Sequence, residues 1–390
     1  MLNGKFRQYG ARDGLPSEVM DAIRARPRHH FVHCFRMLRD QPLQDFDADP
    51  LRHLSLVYSD EAMIHVDAGG NVLPSTNSQP SYVLWLVRKL QLQPGQRVLE
   101  IGSGSGWLAA VIARLVGDTG YVTGTEIIPD LAEQSRRDLA SLGVGNVAIL
   151  TADGTQGHAE GAPYDRIIIT AATWDLPAAL FVQVVDGGRI MVPMALKGGG
   201  GCHATLLRRE GDHFLAERYV PGWFVPLVGL GQDEVDQGMT LEMLRFWKEI
   251  SNVPAIRRPS RLVVGEPIGG TSITMTAFQM FLRITELGFA VFERGPRAEQ
   301  QEKALFGLVD EIHHSVALWT QKELVGYGSV SAVERLERAY VIWSDIGMPG
   351  RSAFDLEVVR AEKAPAGGDG VWIERRGDSA LIWRLKAGAI

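Results

Sequence analysis

Glu100-Ile-Gly-Ser-Gly-Ser-Gly106 sets three alternating glycines directly behind an acidic residue. Glycines here let the backbone turn tightly and approach a ligand with no Cβ in the way. The next apolar run ends at Glu126, and a carboxylate about 20 residues past such a loop is placed to accept both hydroxyls of a ribose. Asp153-Gly154 closes a third run; an acid there can receive the amino group of a purine, or serve as a plain strand-end turn. A bare glycine pattern also occurs in flexible turns. What singles this one out is the run of strand length before it, the helical pattern after it and the acid beyond.

Dinucleotide sites use GxGxxG, where a helix N-terminus faces a pyrophosphate. This chain instead has GxGxG preceded by Glu100. That variant suits a nucleoside ligand without phosphate but with a positive amino group, which points to S-adenosylmethionine. Other chemistry-bearing clusters lead nowhere comparable. His29-His-Phe-Val-His33 has the spacing of one helical face, yet no acid or cysteine accompanies it in sequence, so no metal is expected. His313-His314 reads as surface or packed on the same ground. Cys34 and Cys202 are the only cysteines, too few for a disulfide framework and far from CxxC spacing.

The elements that must position these residues alternate. Arg97–Ile101 is of strand length, and Trp107–Val116 carries apolar residues at helical spacing. Strands follow at 121–127, 147–151, 165–171 and 189–193, with helices at 130–142 (N-capped by Asp130) and 176–185. The runs 203–209 and 213–220, split by Glu210-Gly-Asp212, form a hairpin. Repeated βα units predict a doubly wound, Rossmann-like α/β sheet of the class I methyltransferase type. Residues 1–80 read as short helices, one at 17–24 capped by Ser17, followed by irregular structure.

Beyond the sheet, residues 251–261 carry Pro254, Pro259 and three arginines and read as linker. New strands are expected at 261–264, 289–292, 315–319 and 354–360, with helices at 275–287 and 330–346, making a second, smaller α+β domain. The expected division is 1–235, a linker at 236–260, and 261–390. The 390 residues hold 40 basic and 46 acidic side chains, a net charge of −6, with 45% hydrophobic and 22% charged. That is an ordinary globular balance with no basic run for nucleic acid. The N-terminus lacks the apolar core of a signal peptide, and no run reaches the roughly 20 apolar residues of a membrane span. A cytoplasmic protein is expected.

Several segments together resemble one family. Val98–Gly106, Thr125-Glu-Ile-Ile128, Ala152-Asp-Gly154, Ala162-Pro-Tyr-Asp165, Gly187-Gly-Arg189 and Phe224-Val-Pro-Leu227 are similar, in order and spacing, to the protein L-isoaspartate O-methyltransferases. Thr76-Asn-Ser-Gln-Pro80 resembles that family's Thr-Ile-Ser-Gln-Pro signature, with Asn77 in place of an apolar residue. The resemblance covers roughly residues 20–230. It implies S-adenosylmethionine as cofactor, a protein or peptide acceptor bearing isoaspartyl or aspartyl residues, and Ser78 as the active-site hydroxyl. It also implies cofactor contacts from Ser75, Thr76, Asn77, Ser78, Glu100, Gly102, Ser103, Gly104, Gly106, Glu126, Ile127, Asp153 and Gly154. The usual member ends soon after the Val-Pro-Leu segment, whereas this chain runs to residue 390. Phe306–Asp310, Ser315–Leu318 and Trp343–Pro349 resemble C-terminal regions of homologues encoded with ribosomally made, modified peptides such as lanthipeptides and graspetides. That implies a dedicated peptide substrate as the alternative to general repair. A cofactor-binding scaffold and a small-molecule methyltransferase are the rivals from other classes.

If the second domain recognises a partner, Trp319, Tyr327 and Trp343 are its anchor candidates. The competing expectation is that they fill its core. Trp107, Trp174 and Trp223 are expected to line or close the site.

Overall fold

The computed structural model describes residues 14–199, 201–222, 224–227, 239–259, 273–292, 305–320 and 323–387. The chain divides into two compact units, Met1–Met194 with Cys202–Gln232, and Ala195–Gly201 with Asp233–Ile390.

The first unit opens on α1 (Ser17–Ala25), then β1 (Cys34–Arg36), β2 (Gln44–Asp45), α2 (Pro50–Val57), β3 (Met63–Val66) and β4 (Val72–Asn77). The strands form an antiparallel sheet in the order β2-β1-β3-β4. Irregular structure was expected over this stretch. β1 to β3 escape a pattern search because they are too short to show alternation, and only their pairing defines them; β4 is longer, but its Pro74-Ser-Thr-Asn77 sequence is polar. Pro16, not Ser17, occupies the N-cap of α1; Ser17 is its first helical residue.

The doubly wound part follows: α3 (Pro80–Leu90), β5 (Arg97–Ile101), α4 (Trp107–Val116), β6 (Tyr121–Glu126), α5 (Pro129–Ser141), β7 (Val147–Thr151), β8 (Tyr164–Ile169), α6 (Leu180–Gln183), β9 (Val184–Ala195) and the hairpin of β10 (Cys202–Glu210) and β11 (His213–Gly222). Strand order is β11-β10-β9-β8-β5-β6-β7. β5 pairs in parallel with both β6 and β8, so the order reverses beside β5. Ligands of open α/β sheets bind at such a switch point, outside the carboxyl ends of the strands. α3 and α4 are buried over most of their length. Each fully buried Leu or Val there contributes about 1.5–3 kcal/mol, which pins the loop between β5 and α4 to the core.

Two helix boundaries differ from expectation. Pro129 enters at the first turn of α5 with Ile128 as N-cap, so Asp130 lies inside the helix; proline suits that position because its missing N–H would be unpaired anyway. The helix expected at 176–185 shrinks to α6, since Val184 already pairs with Tyr164 in the sheet.

In the second unit, β12 (Ile256–Pro259), β13 (Phe289–Phe292), β14 (Leu305–Asp310), β15 (Ser315–Trp319) and β16 (Glu323–Gly328) form an antiparallel sheet ordered β12-β16-β15-β14-β13. The segment read as linker therefore supplies a strand: β12 pairs with β16, and Arg257 and Arg258 form ion pairs with Glu323 and Glu337. The prolines do not prevent this because β12 is an edge strand, where a missing N–H leaves no gap in the ladder. The strand expected at 261–264 lies outside the described residues. Helices α7 (Trp247–Ile250), α8 (Ile273–Thr285) and α9 (Ser331–Asp345) and the antiparallel strands β17 (Phe354–Arg360), β18 (Val371–Arg375) and β19 (Ser379–Leu385) complete the unit. Phe278 of α8 packs within 5.0–6.2 Å (ring centroids) of Phe306, Trp319, Tyr340 and Trp343. Trp319 and Trp343 are thus core residues, and Tyr327 packs half-buried on Trp247.

His33 acquires acidic partners invisible in sequence. Its Nδ1 lies 2.7 Å from Asp47 and its Nε2 3.1 Å from Asp138 of α5. The Asp138 hydrogen bond, helped by Asp47 and opposed by burial, raises its pKa to about 9. Because the folded value exceeds the ordinary one of about 6.5, the stabilisation is complete below about pH 6.5 and disappears as pH rises through about 9. The ring is one-third exposed, so the screened contribution is on the order of 1 kcal/mol. His33→Gln should lower the melting temperature near pH 6 and match the parent by about pH 10; a deficit that does not shrink with pH would remove the charged pair from the account.

Candidate functional site

The loop after β5 carries positive φ at Gly102 (84°), Gly104 (54°) and Gly106 (80°), conformations that residues with a Cβ rarely hold. Glu126, the last residue of β6, braces it. Its Oε2 accepts from the Gly104 N–H at 2.8 Å and its Oε1 from the Ile128 N–H at 3.0 Å. A carboxylate has about four lone-pair sites, so acceptor capacity remains beyond these amides. Burial raises the pKa of Glu126, and the Ile128, Gly104 and Ile127 amides counter it. Glu100 lies deeper, at 1% exposure. Burial, and then the neighbouring Glu126 charge, push its carboxyl well above the usual carboxylate range, against a contact from the Ser103 hydroxyl.

Two clefts meet here. The first is lined by Ser75, Thr76, Ile101, Gly102, Glu126, Ile127, Gly154, Thr170 and the Val225–Leu227 segment, among others. The second is lined by Thr76, Asn77, Ser78, Glu100, Gly102, Ser103, Gly104, Trp107 and Thr170. Thr76, Gly102 and Thr170 belong to both. The Phe224–Leu227 segment is held in place by the Leu227 N–H donating to the Ala172 carbonyl at 2.7 Å.

Gly106 and Asp153 stand apart from the other expected site residues, lining neither cleft. A Cβ on Gly106 would strike the Ser135 hydroxyl, so this glycine serves the packing of α4 against α5. Asp153 turns its Oδ1 to the Thr155 N–H and hydroxyl, at 2.9 and 2.8 Å. Trp107 lines the second cleft and donates its ring N–H to the Arg26 carbonyl; Trp174 lines neither cleft, and Trp223 lies outside the described residues. No group of three or more His, Cys, Asp or Glu among the described residues is arranged to hold a metal ion.

Ser78 sits in the turn between β4 and α3, and two buried groups fix that turn. Arg28, 2% exposed, donates to the carbonyls of Val57, Asn77 and Ser78, each at 3.0 Å. Burial lowers its pKa to about 9, with Asp60 and Tyr58 opposing. From the other side Asp60 accepts from the Ser81 N–H (2.8 Å), the Ser81 hydroxyl (2.7 Å) and Gln79 Nε2 (3.0 Å). Asn77 donates its amide to Ser105 Oγ at 3.2 Å, tying the turn to the glycine loop. Sequence reasoning missed Arg28, whose main partners are distant backbone carbonyls, and Asp60, whose partners lie about 20 residues on at Gln79 and Ser81. The arrangement presents a braced carboxylate and a glycine loop beside a hydroxyl carried on a fixed turn.

The state of Glu100 is testable. An unfolded Glu ionises near pH 4.3, whereas folded Glu100 resists ionisation, so folding loses stability as pH rises between the two values. Glu100→Gln removes that penalty, so its gain in melting temperature over the parent should grow as pH rises above about 4.3. An offset that stays constant with pH would contradict a raised pKa at Glu100.

A model of the family described as protein-L-isoaspartate(D-aspartate) O-methyltransferase matches residues 11–232. A curated protein-L-isoaspartate O-methyltransferase of Methanococcus maripaludis is 40% identical over 214 residues, covering 54% of this chain and 87% of its own length. Protein-L-isoaspartate O-methyltransferase 1 of Rhodopseudomonas palustris is 34% identical over 260 residues, covering 67% and 89%. A solved protein-L-isoaspartate O-methyltransferase structure is similar with a TM-score of 0.53 at 24% identity, covering 97% of this chain and 98% of that one. At that identity the likeness concerns the fold, and it reaches into the C-terminal region, so a fold of this length is not peculiar to this chain. A family model spanning most of the first unit, with relatives matched over nearly their whole length, leaves one conclusion: the chain belongs to the protein-L-isoaspartate(D-aspartate) O-methyltransferase family.

Proposed function

We propose that the protein is an S-adenosylmethionine-dependent carboxyl O-methyltransferase acting on isoaspartyl, or specially presented aspartyl, residues of proteins and peptides. The observation that carries this reading is the junction of the two clefts at Thr76, Gly102 and Thr170. One side offers a glycine loop with a braced carboxylate, as a nucleoside requires, and the other offers the Ser78 turn. The residues fit the cofactor: Glu126 keeps acceptor capacity for ribose hydroxyls, and Gly102 and Gly104 line the second cleft with no Cβ in the way of a ligand. Glu100 and Glu126 favour the ammonium of the cofactor's amino-acid end. Ser75, Thr76, Asn77, Ser103, Ile127 and Gly154 are the remaining contacts of this proposal.

When bound, the cofactor supplies an electrophilic methyl group on a sulfonium. An acceptor carboxylate is already ionised at neutral pH, so no general base is needed. The protein's part is alignment and exclusion of water. Ser78 would donate its hydroxyl to the acceptor carboxylate and hold it on the line through the methyl carbon to sulfur. Methyl esterification turns a poor leaving group into a good one, and the next backbone amide can then close a succinimide. That outcome serves repair of isoaspartyl damage.

A paired substitution separates the two sides of the site. Glu126→Ala should weaken cofactor binding by about 2–4 kcal/mol, the scale of lost charge-assisted hydrogen bonds. Ser78→Ala should leave that affinity nearly intact while cutting turnover of an isoaspartyl peptide roughly a hundredfold, as an acceptor displaced by about 1 Å does. Calorimetry and steady-state rates check both. Unchanged affinity in the first, or parental turnover in the second, would refute the corresponding role.

The second unit supports a finer proposal, that it recognises the acceptor and that the acceptor is a dedicated peptide. An open hollow on this unit is lined by Met239, Leu287, Phe289 and Ile312 among others, and Leu287 (84%) and Ile312 (88%) are largely exposed. Apolar surface of that kind is a usual feature of peptide-docking faces. Truncation after Asp236, in a product still folded by circular dichroism, should retain S-adenosylmethionine binding and lose selectivity for the natural acceptor. Loss of cofactor binding in a folded product would make the C-terminal region part of the cofactor site.

A further inference from the structure

His65 of β3 is only 8% exposed, and its Nε2 has no hydrogen-bond partner among the described residues. Interiors leave few polar atoms in that state, and each one needs a physical reason. The surroundings supply it. β3 pairs with β4 through Ile64 and Thr76, which brings His65 alongside the strand that lines both clefts. Opposite stands the glycine loop: a Cβ built on Gly104 would lie 3.6 Å from His65 Nε2, 3.9 Å from Ser75 Oγ and 4.0 Å from the Thr76 carbonyl. The unpaired nitrogen therefore faces the Cβ side of Gly104, which lines the second cleft, while His65 itself stands buried just behind the lining of both clefts.

The charge environment selects the kind of partner. Burial, and then the Arg28 guanidinium, lower the pKa of His65 to about 4, so its ring is neutral at neutral pH and keeps one N–H to give. A neutral N–H donor backed by a buried cation attracts an anion.

We propose that His65 is a ligand-contacting residue of this cleft, its Nε2–H donating to a carboxylate of a bound ligand. The inference rests on the methyl-transfer reading, which brings two carboxylates to this place, one at the amino-acid end of the cofactor and one on the acceptor. His65 takes no part in bond making; it fixes the position of one of these anions beside the glycine loop.

Three probes on the full chain distinguish the sources: calorimetry with S-adenosylhomocysteine, calorimetry with 5′-methylthioadenosine, which lacks the amino-acid end, and kinetics with an isoaspartyl peptide. If His65 holds the cofactor carboxylate, His65→Leu loses roughly tenfold or more in affinity for the first and none for the second. If it holds the acceptor, both nucleosides bind as before and the peptide KM rises roughly tenfold or more. His65→Gln, which keeps an N–H near the Nε2 position, should recover most of either loss. Should the leucine variant fail to fold, His65→Asn, whose amide falls short of that position, replaces it. Equal weakening of both nucleosides marks a packing role and overturns the proposal, as does no change beyond about twofold in all three probes. Parent protein that binds neither nucleoside would overturn the methyl-transfer reading itself, and this inference with it.

Discussion

Two carboxylates buried side by side at the head of a parallel sheet set the terms for the rest of the first unit. Glu126 ends β6 and Glu100 is the last residue but one of the adjacent β5, and a charge taken out of water is costly unless it is paired or hydrogen-bonded. The chain meets that cost in two ways. Glu126 accepts two backbone N–H groups, which fixes the path of the loop from Gly102 to Gly104. Glu100 has no comparable set of donors, and its proton affinity rises instead. A cation at this place relieves both strains together, so the same arrangement favours an ammonium-bearing ligand.

Around that centre the two halves of the first unit divide the labour. The doubly wound sheet places the glycine loop at its switch point, with α4 buried over most of its length behind it. The small antiparallel sheet contributes the opposite wall through β4, whose end runs directly into the Ser78 turn. Neither half makes a cleft alone, since Thr76 comes from one and Gly102 and Thr170 from the other.

What could be read from the sequence follows from where each element's partners lie. β5, the glycine loop and α4 are legible because apolar runs of full length surround residues whose backbone needs are peculiar to glycine. The β10–β11 hairpin is legible from its Glu-Gly-Asp turn, and α9 from its helical spacing. β1 to β3 are not, because strands of two to four residues carry too few positions to alternate. β12 is hidden for another reason: arginine and proline argue against a strand until Glu323 and Glu337 are seen facing it. Arg28, Asp60 and His65 were also beyond reach. Arg28 and Asp60 lie in short polar stretches that look solvated, His65 is a lone polar residue in an apolar strand, and the surroundings of all three are decided by distant segments.

The hold of Arg28 on the Ser78 turn has an evolutionary corollary. Its hydrogen bonds to residues 57, 59, 61 and 78 go to main-chain carbonyls, and a carbonyl is the same whichever side chain its residue bears. Mutation at those positions leaves the clamp's acceptors in place, so the turn can drift in side-chain character while its backbone stays still. Asn77 is the exception: besides its carbonyl, its side-chain oxygen accepts from Arg28 and its amide donates to Ser105, so its side chain belongs to the clamp. Side chains at 57, 59 and 61 can therefore change without a new way to hold the turn, whereas a change at 77 alters the hold itself.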